Sequence, residues 1–292
     1  MVSGVTVATV SNEAMRQTWA GAGSGWVENE SIFDSLFTPF TEALASAAQL
    51  SAGQRLLDIG CGSGTLLAVA ADAGAQPVGV DISAAMVDAA RRRVPSATVV
   101  LADAQSDDLL ATAPGPAFDQ VVSRFGVMFF ADPVAAFANI RRASTPGAGL
   151  AFACWRDDDN PMFTLGVDVL TARLDPSPAP PSPTAPGPRS FGDPDRVRRI
   201  LTESGWGDIG IEPVDAEMDF GFAGTDGIEE RLGTILAGTT GSRARAELEP
   251  RLGAQGWEEL LDEVRASLRS ALTGTSLVMP GRIWLVTARN PD

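Results

Sequence analysis

The sequence predicts an α/β protein: a mostly parallel sheet of seven strands, doubly wound by helices. Three observations carry that reading. Between residues 51 and 155, short apolar runs alternate with stretches of helical period, the pattern of parallel strands joined by crossover helices. Two more strand-like stretches follow, at 209–222 and 281–289. The chain has 292 residues and is 45% apolar, so it can bury a sizeable core.

Taken in order, residues 1–50 read as helical. Residues 55–59 form a buried strand, and 65–73 an alanine-rich helix. A second strand covers 76–80. Ser83 is placed to cap a helix running to Arg93, with Met86, Ala90 and Val94 on one face and Pro95 beyond its end. Residues 98–101 and 118–123 are the third and fourth strands. Asp132 precedes Pro133, an N-cap followed by proline at the first helical position, with Phe137 and Ile140 facing inward. The fifth strand is 150–155.

Residues 175–194 hold eight prolines in twenty positions, which excludes helix or central strand and leaves an extended surface segment or mobile loop. Order resumes with Asp193 as cap, Pro194 opening a helix and Gly205 ending it. From about 243 to 272, Leu248, Leu252, Trp257, Leu260, Leu261, Val264 and Leu268 recur at mostly helical spacing.

Composition narrows the chemistry. The formal charge is −15, which disfavours a phosphate backbone as partner; the run Arg91–Arg93 is too short to offset it. The chain contains no His, Tyr or Lys; all 22 basic residues are arginines. No imidazole, phenol or lysine amine is available as a base, a Schiff-base former or a metal ligand. Two cysteines, Cys61 and Cys154, make neither a zinc spacing nor a disulfide framework. With no signal peptide pattern and no apolar run of 18 residues, the expectation is a cytoplasmic protein with no membrane span and no metal.

The stretch "LLDIGCGSG", 56–64, places three glycines between a strand and a helix. Such a loop lets backbone approach a ligand, and the helix start adds oriented N–H groups. The dinucleotide fingerprint needs a third small residue where Thr65 stands, and Asp58 would repel a pyrophosphate. Asp81 ends the second strand, 21 residues after Gly60, where it can accept both hydroxyls of a ribose. Asp103 and Ala104 end the third, where an acid and an N–H can read an adenine edge. The set suits a nucleoside with a positive centre and no phosphate.

"LLDIGCGSG", "VGVDIS", "LADAQ", "FDQVVSRFGVMFFADP" and "TPGAGLAFACW", in that order, resemble the successive motifs of class I S-adenosylmethionine-dependent methyltransferases, in the small-molecule branch similar to ubiquinone/menaquinone biosynthesis enzymes. The resemblance implies a Rossmann-like fold with N-terminal helices and a helical lid insertion. It divides the chain into a helical lid (1–50), an S-adenosylmethionine-binding core (51–155), and a substrate-lid segment plus the last sheet strands (156–292) that form one domain with the core. It implies cofactor contacts at Asp58, Gly60, Cys61 and Gly62 for the methionyl part, with Cys61 a small filler rather than a reactive thiol. Asp81 would hold the ribose. Ile82 and Met86 would pack near adenine, and Asp103 and Ala104 would contact its amino group. Ser123 and Arg124 would face the methionyl group and the methyl, and Trp19 and Trp26 would close over the cofactor.

The expected activity is methyl transfer to a small hydrophobic or aromatic acceptor in a bacterial biosynthetic pathway, with Phe33, Phe37, Phe40, Phe125, Phe129 and Phe163 as candidate linings. No catalytic residue stands out; candidate bases are Glu28, Glu30, Asp34, Asp132 and the trio 157–159. A fold relative that binds the cofactor without methyl transfer, such as a pericyclase, stays open, as does an NAD(P)-linked oxidoreductase. A homodimer is compatible with the sequence.

Overall fold

A computed structural model describes residues 11–178 and 182–291. Helices α1 (Glu13–Glu28), α2 (Glu30–Leu36) and α3 (Thr38–Ala48) lead into β1 (Arg55–Ile59). The chain continues through α4 (Thr65–Asp72), β2 (Gln76–Asp81), α5 (Ala84–Arg93), β3 (Thr98–Leu101), α6 (Leu109–Thr112), β4 (Phe118–Arg124), α7 (Pro133–Arg142) and β5 (Ser144–Trp155). Helices α8 (Val167–Thr171) and α9 (Pro194–Glu203) precede β6 (Gly207–Asp219); α10 (Ile228–Ala237) and α11 (Thr239–Arg269) precede β7 (Val278–Arg289). Where one helix was expected from about 243, α11 begins earlier and is broken at Gly253, whose φ is +71°.

The seven strands run in the order β3-β2-β1-β4-β5-β7-β6. β1 to β5 are parallel, and β7 lies antiparallel to both neighbours. Strand order reverses between β1 and β4, and ligands of such sheets bind outside the carboxyl ends at that point. β1 is buried at all five positions, because helices cover both faces of a parallel sheet and leave no polar side. Phe152 and Trp155 of β5 are three residues apart and so project to opposite faces. Phe152 packs on Phe137 of α7 at 5.5 Å, and Trp155 on Phe40 of α3 at 6.0 Å. These contacts mark the two helical layers.

The helix starts follow local chemistry in part. Asp132 and Asp193 cap α7 and α9 by accepting from Ala135 and Asp195 N–H. Ser83 precedes α5 as expected, but its hydroxyl makes no cap bond and has no partner among the described residues. It lies under α1, where a Cβ on Gly23 would come within 2.3 Å of it. The proline-rich stretch is tied down over its later part: Gly187 N–H and Ser190 Oγ both donate to Met128 O, and Phe191 enters the core. Among the described residues, no helix is long and apolar enough to cross a membrane.

Candidate functional site

A cavity opens at the carboxyl ends of β1, β2, β3 and β4, roofed by α1 and α2. Its floor is the loop 60–64. Gly60, Gly62 and Gly64 have φ of +64°, +54° and +92°, the left-handed region that side-chain-bearing residues avoid. A Cβ on Gly60 would sit 2.9 Å from Gly126 Cα, so that glycine serves the contact between the loops after β1 and β4 as well as the cavity wall. A Cβ on Gly62 would meet nothing within 4 Å, so this is the glycine that leaves open space.

Asp81 organises the loop. Its Oδ2 accepts from Gly62 N–H at 2.9 Å and its Oδ1 from Ser83 N–H at 2.8 Å. Each carboxylate oxygen has lone-pair capacity for a further donor, which suits a vicinal diol. Burial pushes its pKa upward, and the backbone N–H bonds oppose that shift.

Asp58 is 2% exposed and lines the cavity, and its Oδ1 has no partner among the described residues. Burial raises its pKa to about 8, with Arg124 opposing the shift and Asp81 reinforcing it. A buried carboxyl with an unfilled oxygen favours a cationic ligand group. Asp103 is also buried; its Oδ1 accepts from Gln105 N–H and from the Asn12 amide nitrogen.

The other expected residues divide. Trp19, Trp26, Cys61, Ile82, Met86, Ala104 and Arg124 all line the cavity. Trp19 meets Phe129 edge-on at 5.1 Å, and Trp26 stacks on Phe33 at 3.9 Å. Burial pushes the Cys61 thiol up, so it is not a thiolate at neutral pH. Arg124 donates to Thr41 and Thr65 Oγ1 and lies 3.6 Å from Asp34. Ser123 stays outside the lining: fully buried, its hydroxyl donates to Ile59 O and accepts from Gly126 N–H, which joins β4 to β1. Of the candidate bases only Glu30 and Asp34 reach the cavity. Asp132 is engaged as a helix cap, and Asp157–Asp159 lie outside the lining. Phe40 is core, whereas Phe33, Phe37, Phe125, Phe129 and Phe163 line the wall.

Sequence reasoning missed Asn12, Met15, Met162 and Pro188, which also line the cavity. They come from segments with no motif; the one signal was an asparagine just ahead of a helix.

Fold and site together define a doubly wound α/β protein whose strand ends favour a positively charged nucleoside without phosphate. A family model described as a methyltransferase domain matches residues 57–152. The aklanonic acid methyltransferase DauC of Streptomyces sp. (strain C5) is 30% identical over 152 residues, 48% of this chain and 64% of that protein. A demethylmenaquinone methyltransferase of Renibacterium salmoninarum is 30% identical over 166 residues, 54% of this chain and 68% of that one. The chain thus spans about two thirds of the length of these curated relatives. The [4+2]-cyclase SpnF shares the fold at a TM-score of 0.57 and 18% identity, over 97% of this chain and 98% of that one. The chain belongs to the class I S-adenosylmethionine-dependent methyltransferases, and S-adenosylmethionine is its cofactor.

Proposed function

We propose that this chain transfers the methyl group of S-adenosylmethionine to a small hydrophobic or aromatic acceptor, as an O-, C- or N-methylation in a biosynthetic pathway. The observation that carries this reading is the unpartnered, buried Oδ1 of Asp58 at the head of the cavity. It answers the cationic methionyl end of the ligand, and Asp81 and Asp103 answer its ribose and base. When bound, the cofactor supplies a methyl group on a good leaving group; the chain supplies position and dryness. Gly60, Cys61, Gly62 and Arg124 hold the methionyl part, Ile82, Met86 and Ala104 border the base, and Trp19 and Trp26 cover the cofactor. Residues 1–50 act as lid, 51–155 as cofactor core, and 156–292 complete the sheet and wall the acceptor side.

The acceptor wall is aromatic. Phe125 and Trp155 stack at 4.6 Å and 3°, and Phe163 meets Trp155 edge-on at 5.3 Å. Aligning the acceptor against the methyl group in such a slot can supply about 7–11 kcal/mol of the barrier. Neither Glu30 nor Asp34 stands free: Asp34 pairs with Arg93 at 2.5 Å and accepts from Thr65, and Glu30 lies 3.7 Å from Arg93. The acceptor therefore loses its proton to water or arrives ionised. The net charge of −15 disfavours nucleic acid as partner, and a cytoplasmic setting and a homodimer are compatible with the reading.

Calorimetry tests the reading. S-adenosylmethionine and S-adenosylhomocysteine are expected to bind and NADH not to; tight NADH binding alone would overturn it. A second reading, a cofactor-binding cyclase, is favoured by the absence of His, Lys and Tyr and by full-length likeness to SpnF. Release of S-adenosylhomocysteine on incubation with naphthols and aromatic acids separates the two.

A further inference from the structure

Asn12 does not do what its position invites. It is the N-cap residue of α1, where an asparagine ordinarily accepts a hydrogen bond from the first turn, yet its side chain caps nothing. Its Nδ2 instead donates to Asp103 Oδ1 at 3.2 Å, across 91 residues of sequence. Asn12 is 8% exposed and lines the cavity. Chemistry settles the orientation of its amide. The Asp103 oxygen is an acceptor, already bonded by Gln105 N–H, so the nitrogen of Asn12 faces it. The amide oxygen is left buried with no donor among the described residues. Buried acceptors are nearly always satisfied, so this one calls for a donor from the ligand.

We propose that Asn12 is a base-reading residue of the cofactor site: its Oδ1 accepts one N–H of the adenine 6-amino group while Asp103 accepts the other. The proposal rests on the cofactor reading above. An exocyclic amine carries two donors, and the bonded Asn12–Asp103 pair presents two acceptors side by side. Ser83 Oγ, also unpartnered, does not compete for this role, because it lies beneath Gly23 of α1 and outside the cavity lining. Asn12 thereby makes the start of the covering helix part of base recognition. The contact lies outside residues 57–152, the stretch that the family model matches.

The test compares S-adenosylhomocysteine with S-inosylhomocysteine, which carries an oxygen acceptor in place of the amine. Calorimetry on the full chain is expected to show wild type preferring the amine by on the order of a hundredfold, since a buried acceptor then faces an acceptor. In Asn12→Ala the affinity for S-adenosylhomocysteine should fall about tenfold and the preference should narrow by the same factor. Trp19→Ala removes part of the cover over the cofactor but no hydrogen bond that tells an amine from an oxygen, so it should weaken both ligands equally. An Asn12→Ala protein that keeps the full preference overturns the proposal, even if both affinities drop. A wild type that binds neither ligand sinks the cofactor reading beneath it, and is thereby distinguishable.

Discussion

Asp58 is the residue on which cofactor binding and pH meet. Its folded pKa of about 8 stands well above the value near 3.9 of an unfolded aspartate. Below about pH 4 both states hold the proton and folding is indifferent to it. Between about 4 and 8 the native state binds a proton that the unfolded chain does not, so stability falls as pH rises; above 8 both are ionised and the loss is constant. Asp58→Asn should remove this slope, checked by denaturant titrations at pH 5, 7 and 9. A cationic ligand favours the ionised form, so S-adenosylmethionine binding near pH 7 should release a proton. Calorimetry in two buffers of different ionisation enthalpy measures that release. It should vanish in Asp58→Asn, with affinity lowered about tenfold or more. Equal heats in both buffers for wild type would mean that Asp58 is not the group answering the charge.

At the scale of elements, α1 is the unusual one. It carries Gly21, Gly23 and Gly25 within one turn and a half, and each costs about 1 kcal/mol against alanine in a helix. Two of them have a structural reason. A Cβ on Gly23 would strike Ser83 Oγ at 2.3 Å, and one on Gly25 would meet Ala237 at 3.2 Å, so these glycines let α1 seat closely on α5 and α10. Gly21 has nothing within 4 Å. Gly21→Ala should therefore stabilise the helix by up to about 1 kcal/mol, seen as slower amide exchange over residues 13–28. Gly23→Ala should lift α1 off Ser83, speed exchange there and weaken S-adenosylhomocysteine binding. Unchanged binding in Gly23→Ala would show that the seat of α1 has no part in the cofactor site.

Across the whole molecule, what could be read in advance was local. Strands β1 to β5 and the acids Asp58, Asp81 and Asp103 at their ends declare themselves, because a strand end, a glycine turn and a helix start lie within a few residues of each other. Asn12, Met162 and Pro188 could not be read, since only packing brings them to the cavity from segments far apart in sequence. The fate of Ser123 was equally hidden: whether a strand-end hydroxyl faces ligand or neighbouring backbone depends on the strand beside it. Arg231 belongs with these. It is 2% exposed, faces no carboxylate among its described bonds, and leaves its Nε unpartnered; burial lowers its pKa to about 10. Its Nη2 donates to Met162 O and Leu165 O, and Nη1 to Thr234. From α10 it thus grips the turn that carries Met162 and Phe163 into the acceptor wall, while the cofactor acids stand on β1, on β2 and just past the end of β3. Arg231→Met strips two part-buried carbonyls of their donor, at a cost of about 1–3 kcal/mol in denaturant unfolding. Because Arg231 shares no partner with Asp58, Asp81 or Asp103, S-adenosylhomocysteine affinity should stay within about threefold of wild type. Loss of cofactor affinity in parallel with stability would mean instead that the acceptor wall and the cofactor floor fold as one inseparable unit.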